Sequence, residues 1–250
     1  MIKLRRTKRA PRTPDASMPM LEHLAELRNR IIISVAAVLA GAIVAFAFYD
    51  PITNFLLDFY RDSINNGEIT FIFTGPADAF ITRLKVATYG GIVLALPIWL
   101  WQMWRFITPA LDPKEKRYAV PFVLSAIVLF ALGAFVAFLT LEPALNFLLN
   151  IGGTAQRPLL TYDKYLTLVA LMVVAFGLSF EFPIVLVFLL IARIITTAQL
   201  RHARRWAAVG IVAFAAVITP SQDPYSLFFM AVPMYVFYEA SIIIGRILKR

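Results

Sequence analysis

A helix needs ~20 apolar residues to cross the ~30 Å hydrocarbon layer of a bilayer. Six stretches of this chain come close to that pattern: Ile31–Phe48, Val86–Trp101, Val120–Leu141, Leu166–Ala192, Ala207–Thr219 and Tyr225–Gly245. Gly90, Gly91 and Pro97 interrupt the second, and Glu181 and Pro183 break the fourth. The fifth is short, reaching only ~20 Å at 1.5 Å per residue. It is counted as a span because without it the basic clusters on either side could not share a face with the sixth as a crossing. Two longer polar segments separate the spans. Residues 49–85 carry Pro51, an amphipathic Ile52–Phe59 stretch, an Asn65-Asn66-Gly67 turn and a helical run at Ala77–Leu84. Residues 142–165 carry Pro143, Gly152-Gly153 and Pro158. Both are expected to fold as caps over the outer face. The pattern predicts an all-α, polytopic membrane protein with six transmembrane helices and no internal repeat, so an inverted-repeat transporter gains no support.

Composition agrees. Of 250 residues 60% are hydrophobic and only 16% charged, where a soluble domain carries roughly 25% charged residues. The net charge of +9 would suit a nucleic-acid binder, but a mean hydropathy of +0.75 would not. Cations instead set orientation, since Lys- and Arg-rich loops stay cytoplasmic. With the N-terminus inside, 19 of the 24 lysines and arginines lie on the inner side and five on the outer. Both termini are therefore expected in the cytoplasm. Residues 1–18 read as a disordered basic tail against anionic lipid, 19–246 as the transmembrane domain and 247–250 as a short cytoplasmic tail. Arg5-Arg6 is not read as an export signal of the chain itself, because no apolar stretch follows closely and no cleavage site follows the first span.

Chemistry is sparse. There is no cysteine, which removes disulfides and thiolate metal sites. The only histidines, His23 and His202, are far apart, so neither a metal nor a cofactor is expected. No Gly-rich nucleotide loop is present. Gly177-Leu178-Ser179-Phe180-Glu181 lacks the second glycine of a nucleophile elbow. The chain does not read as an enzyme.

The rare acids are more informative. Glu181 falls inside the fourth span, where an acidic group costs ~2.5–3.5 kcal/mol on insertion scales. It is expected to serve a cavity, a partner helix or a proton path, with Pro183 kinking the helix beside it. A small proton-coupled transporter using Glu181 is the alternative reading. Glu239, near the end of the sixth span, is explained by snorkelling. On the inner side Glu22 and Glu26 are spaced i, i+4, and Glu26 stands four residues before Arg30. Glu26 either pairs with Arg30 or joins Glu115 of the next inner loop to bind two guanidinium groups bidentately. Trp99, Trp101, Trp104 and Phe106 close the second span as an interfacial aromatic belt, and Pro109 and Pro113 stiffen the loop carrying Glu115.

From Met20 to Gly245 the chain resembles the TatC family, the polytopic receptor subunits of the twin-arginine protein translocase. The resemblance rests on His23-Leu24-Ala25-Glu26-Leu27-Arg28-Asn29-Arg30, on Gln102 to Leu111, on Glu115-Lys116-Arg117, on Phe176 to Pro183, and on Thr219-Pro220 through Asp223 to Pro233 and Glu239. It implies a glove-shaped bundle with a kinked fourth helix. It also implies that Glu26, Arg28, Phe106 and Glu115 bind the Arg-Arg motif of export signals on folded cargo. Glu181 would lie in the concave face, and Pro109, Pro183 and Asp223 would shape structure or partner contacts. Partners would be single-span TatA-type and TatB-type subunits in an oligomeric complex, driven by the proton motive force. The chain departs from the family pattern at Leu227 and in the extra residue before Asp223.

Overall fold

The computed structural model describes residues 20–63, 75–107, 119–152 and 161–247. The expected tail at 1–18 lies outside them, as does the one at 247–250 except for Ile247, which belongs to the last helix. Ten helices occur among the described residues: α1 Met20–Ala47, α2 Tyr49–Ser63, α3 Asp78–Leu94, α4 Leu96–Ile107, α5 Ala119–Asn150, α6 Tyr162–Phe180, α7 Phe182–Ile191, α8 Thr197–His202, α9 Arg204–Ile218 and α10 Pro224–Ile247. Four are long and apolar enough to cross a bilayer: His23–Ala47, Ala119–Asn150, the α6–α7 pair taken as one run, and Pro224–Ile247. The α3–α4 pair, bent by 51°, makes a fifth if it counts as one span. The protein is thus an all-helical membrane protein with four or five candidate spans. The stretch expected as the fifth crossing forms helix α9, whose 15 residues extend only ~22 Å, so it is not among the candidate spans.

The breaks fall where the sequence loses backbone donors. Pro97 has no N–H to continue the ladder of α3, so the chain turns at Ala95. The Trp99 indole N–H donates to the Ile92 carbonyl at 3.3 Å, giving a partner to a group at the bend. Pro183 sits in the first turn of α7, directly after the break at Glu181. Pro143, in contrast, is carried inside α5, which runs on to Asn150. The third span therefore outlasts its expected end at Leu141. The Ala77–Leu84 run is likewise no separate cap, because it is continuous with the second apolar stretch in α3.

Burial identifies the centre of the bundle. Two thirds of the α6–α7 span is buried within the protein, against 6% of α1. Tyr165, Leu166, Met172, Phe176 and Phe180 of α6 are all nearly inaccessible, and α6 packs on α3, α5 and α10. Helices associate in lipid through close packing more than through apolar burial, which favours small residues at the seams. A Cβ on Gly91 would come within 2.6 Å of the Val38 carbonyl, and one on Gly133 within 2.6 Å of the Phe176 carbonyl. These glycines set the α1–α3 and α5–α6 approaches.

Helix α2 behaves as the amphipathic cap the pattern predicts. It buries Thr53 and Leu56 and exposes Asp50, Asn54 and Phe55. The Tyr165 hydroxyl donates to the Leu56 carbonyl at 2.9 Å, fastening the cap to α6. Nearby, Lys85 of α3 reaches both carboxylate oxygens of Asp163 on α6, at 2.9 and 3.0 Å. Arg83 lies over the rings of Phe46 and Tyr49, 4.7 and 4.9 Å from their centroids. Burial, then its hydrogen bond to Tyr162, raises the Tyr49 hydroxyl above its ordinary pKa. Polar contacts thus gather at the Ala47 end of α1.

Candidate functional site

At the other end of α1, its first turns meet the last turns of α4. The 51° bend aims α4 across α1 and lets two pairs of side chains meet. The His23 imidazole stacks on the Phe106 ring with centroids 4.4 Å apart and planes 19° from parallel. Arg30 donates from Nη2 to Glu26 Oε1 at 2.8 Å and from Nη1 to Gln102 Oε1 at 3.0 Å. The Arg30 and Glu26 side chains keep 17% and 21% of their exposure, so the pair is half-sheltered yet accessible. Gln102 is buried, whereas Arg28 is exposed. Next to these groups opens an apolar groove of about 500 Å³, lined by Leu27, Ile31, Val35, Trp99, Met103 and Phe106, with Arg30 and Gln102 as its charged and amide members.

Of the residues expected to bind a signal motif, Glu26 and Phe106 come together on this α1–α4 surface, whereas Arg28, exposed and two residues from both Glu26 and Arg30, projects from another face of α1. Glu115 and Pro109 lie outside the described residues. Of the two readings open for Glu26, the structure contains the Arg30 pair. Sequence reasoning missed Gln102 and His23. The signal for Gln102 was a lone amide in an otherwise apolar, aromatic stretch, and buried amides need a partner. No comparable signal marked His23.

The other expected residues stand apart from this surface. Glu181 joins α6 to α7, is only 8% exposed, and neither carboxylate oxygen has a hydrogen-bond partner among the described residues. It does not line the groove beside Arg30. Asp223 caps α10: its Oδ1 accepts the Ser226 N–H at 2.8 Å, with Pro224 at the first helical position. Its Oδ2 is buried without a partner. Gln222, at φ 49°, takes the left-handed conformation that turns the chain into this cap. Glu239 is not left to snorkel unpaired; it accepts from Arg204 Nη2 at 2.6 Å and ties α10 to α9. Nor do the tryptophans form one belt. Trp104 is buried against Phe122 and Phe188, and Trp101 alone of the three is exposed. No cluster of metal-binding side chains occurs among the described residues.

Fold and site together define a multi-pass, all-helical membrane protein, with broken helices and a charged surface where its first helix crosses the end of α4. The family model described as Sec-independent protein translocase protein (TatC) matches residues 22–233. The chain belongs to the TatC family, and so is a component of a protein translocase rather than an enzyme. The TatC protein of Frankia casuarinae is 40% identical over 92% of this chain, which spans 66% of that relative's length. The TatC protein of Aquifex aeolicus is 39% identical over 93% of this chain and 97% of its own length. A crystal structure of a twin arginine translocase receptor, TatC, superposes with a TM-score of 0.77 at 39% identity, covering 91% of this chain and all of the other.

Proposed function

We propose that this chain is the receptor and core subunit of a twin-arginine translocase, taking the Arg-Arg motif of export signals on the α1–α4 surface. The observation that carries this is the meeting of Glu26, Arg30 and Phe106 beside the buried Gln102 at the α1–α4 crossing in a member of the TatC family. The pair to Arg30 demonstrates locally that Glu26 accepts a guanidinium. Glu115, in the segment between α4 and α5, supplies the second carboxylate, so that each ligand arginine has its own partner.

In this reading the chain crosses the membrane six times, with α9 as a short fifth crossing and the bilayer thinned around it. The cation count places both termini in the cytoplasm, with basic tails at 1–18 and 247–250 flanking the transmembrane domain. Partners are single-span TatA-type and TatB-type subunits in an oligomeric complex, powered by the proton motive force. Capture at Glu26 and Glu115 comes first, and the apolar part of the signal then enters the bundle's concave face. Glu181, buried and unpaired, offers a polar group to a partner helix or signal there, while Pro109, Pro183 and Asp223 hold the loops and breaks in place. The transporter reading rests on Glu181 alone.

Equilibrium binding of synthetic Arg-Arg and Lys-Lys signal peptides to the full chain in nanodiscs tests the proposal. Glu26→Gln and Glu115→Gln are each expected to weaken Arg-Arg binding about tenfold or more, by loss of a charge-assisted pair. The Lys-Lys peptide is expected to bind worse than Arg-Arg on the unaltered chain, because an ammonium cannot make the bidentate contact. Equal affinities throughout would refute the receptor assignment.

A further inference from the structure

The Glu26 carboxylate is already occupied. Arg30 reaches it end-on, through one nitrogen to one oxygen, and holds Gln102 of the other helix with its second terminal nitrogen. Its Nε is buried with no partner among the described residues. The guanidinium is therefore shared between two acceptors rather than locked in a bidentate fork, the geometry that makes such pairs strong. A ligand arginine that takes both oxygens of Glu26 must share the carboxylate with Arg30 or displace it. Two guanidinium groups on one half-sheltered carboxylate repel each other. Gln102, neutral and anchored on α4, is the one acceptor already within reach to which Arg30 can retreat.

We propose that Arg30 is a resident competitor at Glu26: it holds the ligand's place in the empty receptor and shifts wholly onto Gln102 when a cationic signal arrives. This rests on the reading of the α1–α4 surface as an arginine-binding site. The device raises the threshold for every cationic ligand by the same factor. Only a ligand with additional contacts, such as a second arginine on another carboxylate, then binds well. Gln102 sets the height of that threshold, since the acceptor it offers determines how much it costs to vacate Glu26.

The experiment compares affinities of Arg-Arg and Lys-Lys signal peptides on the full chain in nanodiscs. Arg30→Gln is expected to tighten both peptides by the same factor, about two- to fivefold, as suits removal of a partly exposed helical ion pair. Gln102→Leu is expected to weaken both by a similar factor, because Arg30 loses its second acceptor. In the double variant the Gln102→Leu effect is expected to vanish. The gain from Arg30→Gln is also expected to persist at ~0.5 M salt, where charges beyond a few ångströms are screened.

Weaker or unchanged binding in Arg30→Gln overturns the inference, as does a Gln102→Leu loss of the same size in both backgrounds. A gain that disappears in salt reports only long-range repulsion and overturns it as well. Glu26→Gln separates the two levels of the argument. If that variant binds the Arg-Arg peptide unchanged, the arginine-site reading itself fails. If it binds weakly while Arg30→Gln does not tighten, only the role of Arg30 fails.

Discussion

Two buried carboxylates make opposite contributions to this molecule. Asp223 is only 2% exposed but satisfies one orphan donor at the start of α10. Replacement by alanine is expected to lower the stability of the detergent-solubilised protein by ~1 kcal/mol, whereas asparagine retains most of it. Thermal unfolding measured on both variants checks this, and equal losses would show that the charge, not the cap, matters. Glu181 has no such compensation, since both of its oxygens are buried without partners. Burying a polar group unpaired costs free energy that an apolar side chain would not. Glu181→Leu is therefore expected to raise the unfolding midpoint by about 2–8 °C, the equivalent of ~1–2 kcal/mol in a chain of this size. The same variant is expected to lose export activity in cells. A lowered midpoint would mean that Glu181 is satisfied within the protein and is not held open for a partner.

At the scale of elements, the helix breaks were legible because proline removes a backbone donor wherever it stands inside a helix. Pro97 marks the 51° bend between α3 and α4, and Glu181-Pro183 marks the break between α6 and α7, which still run on as one span. Amphipathicity likewise revealed α2 as a cap. The environment of Trp104 was not legible, and the reason is physical: in lipid both the packed and the lipid-facing sides of a helix are apolar. Periodicity then cannot distinguish a core tryptophan from an interfacial one. The same ambiguity hid the extension of α5 beyond Pro143. The glycine seams were visible only as interruptions, yet they fix how closely the helices approach. Gly91→Leu is expected to force α1 and α3 apart, costing ~1–3 kcal/mol or more. It is also expected to weaken signal-peptide binding by displacing α1 from α4. Thermal unfolding together with peptide binding tests this coupling; lost stability with intact binding would mean that the α1–α4 surface is set independently of the seam.

Considered whole, the molecule is organised by charge as much as by hydrophobicity. Nineteen of its 24 cations fall on one side of the expected topology, and against that background a few acids are conspicuous. Half of the candidate site was legible: the spacing singled out Glu26 and the family resemblance pointed to Phe106, which stacks on His23 one turn away. Its other half was not, since the Arg30–Gln102 contact joins residues 72 positions apart and depends on the bend at Ala95. Local pattern carries no information about a contact that a bend and a crossing create. The central claim is that Glu26 and Glu115 together form the receptor surface for an arginine pair. It is tested most directly by site-specific photocrosslinking from position 115 in membranes supplied with a twin-arginine precursor. The account predicts an adduct with the region around the arginine pair, lost on Glu26→Gln and on Lys-Lys substitution of the signal. An adduct of equal yield with all three, or none with the intact pair, would contradict it.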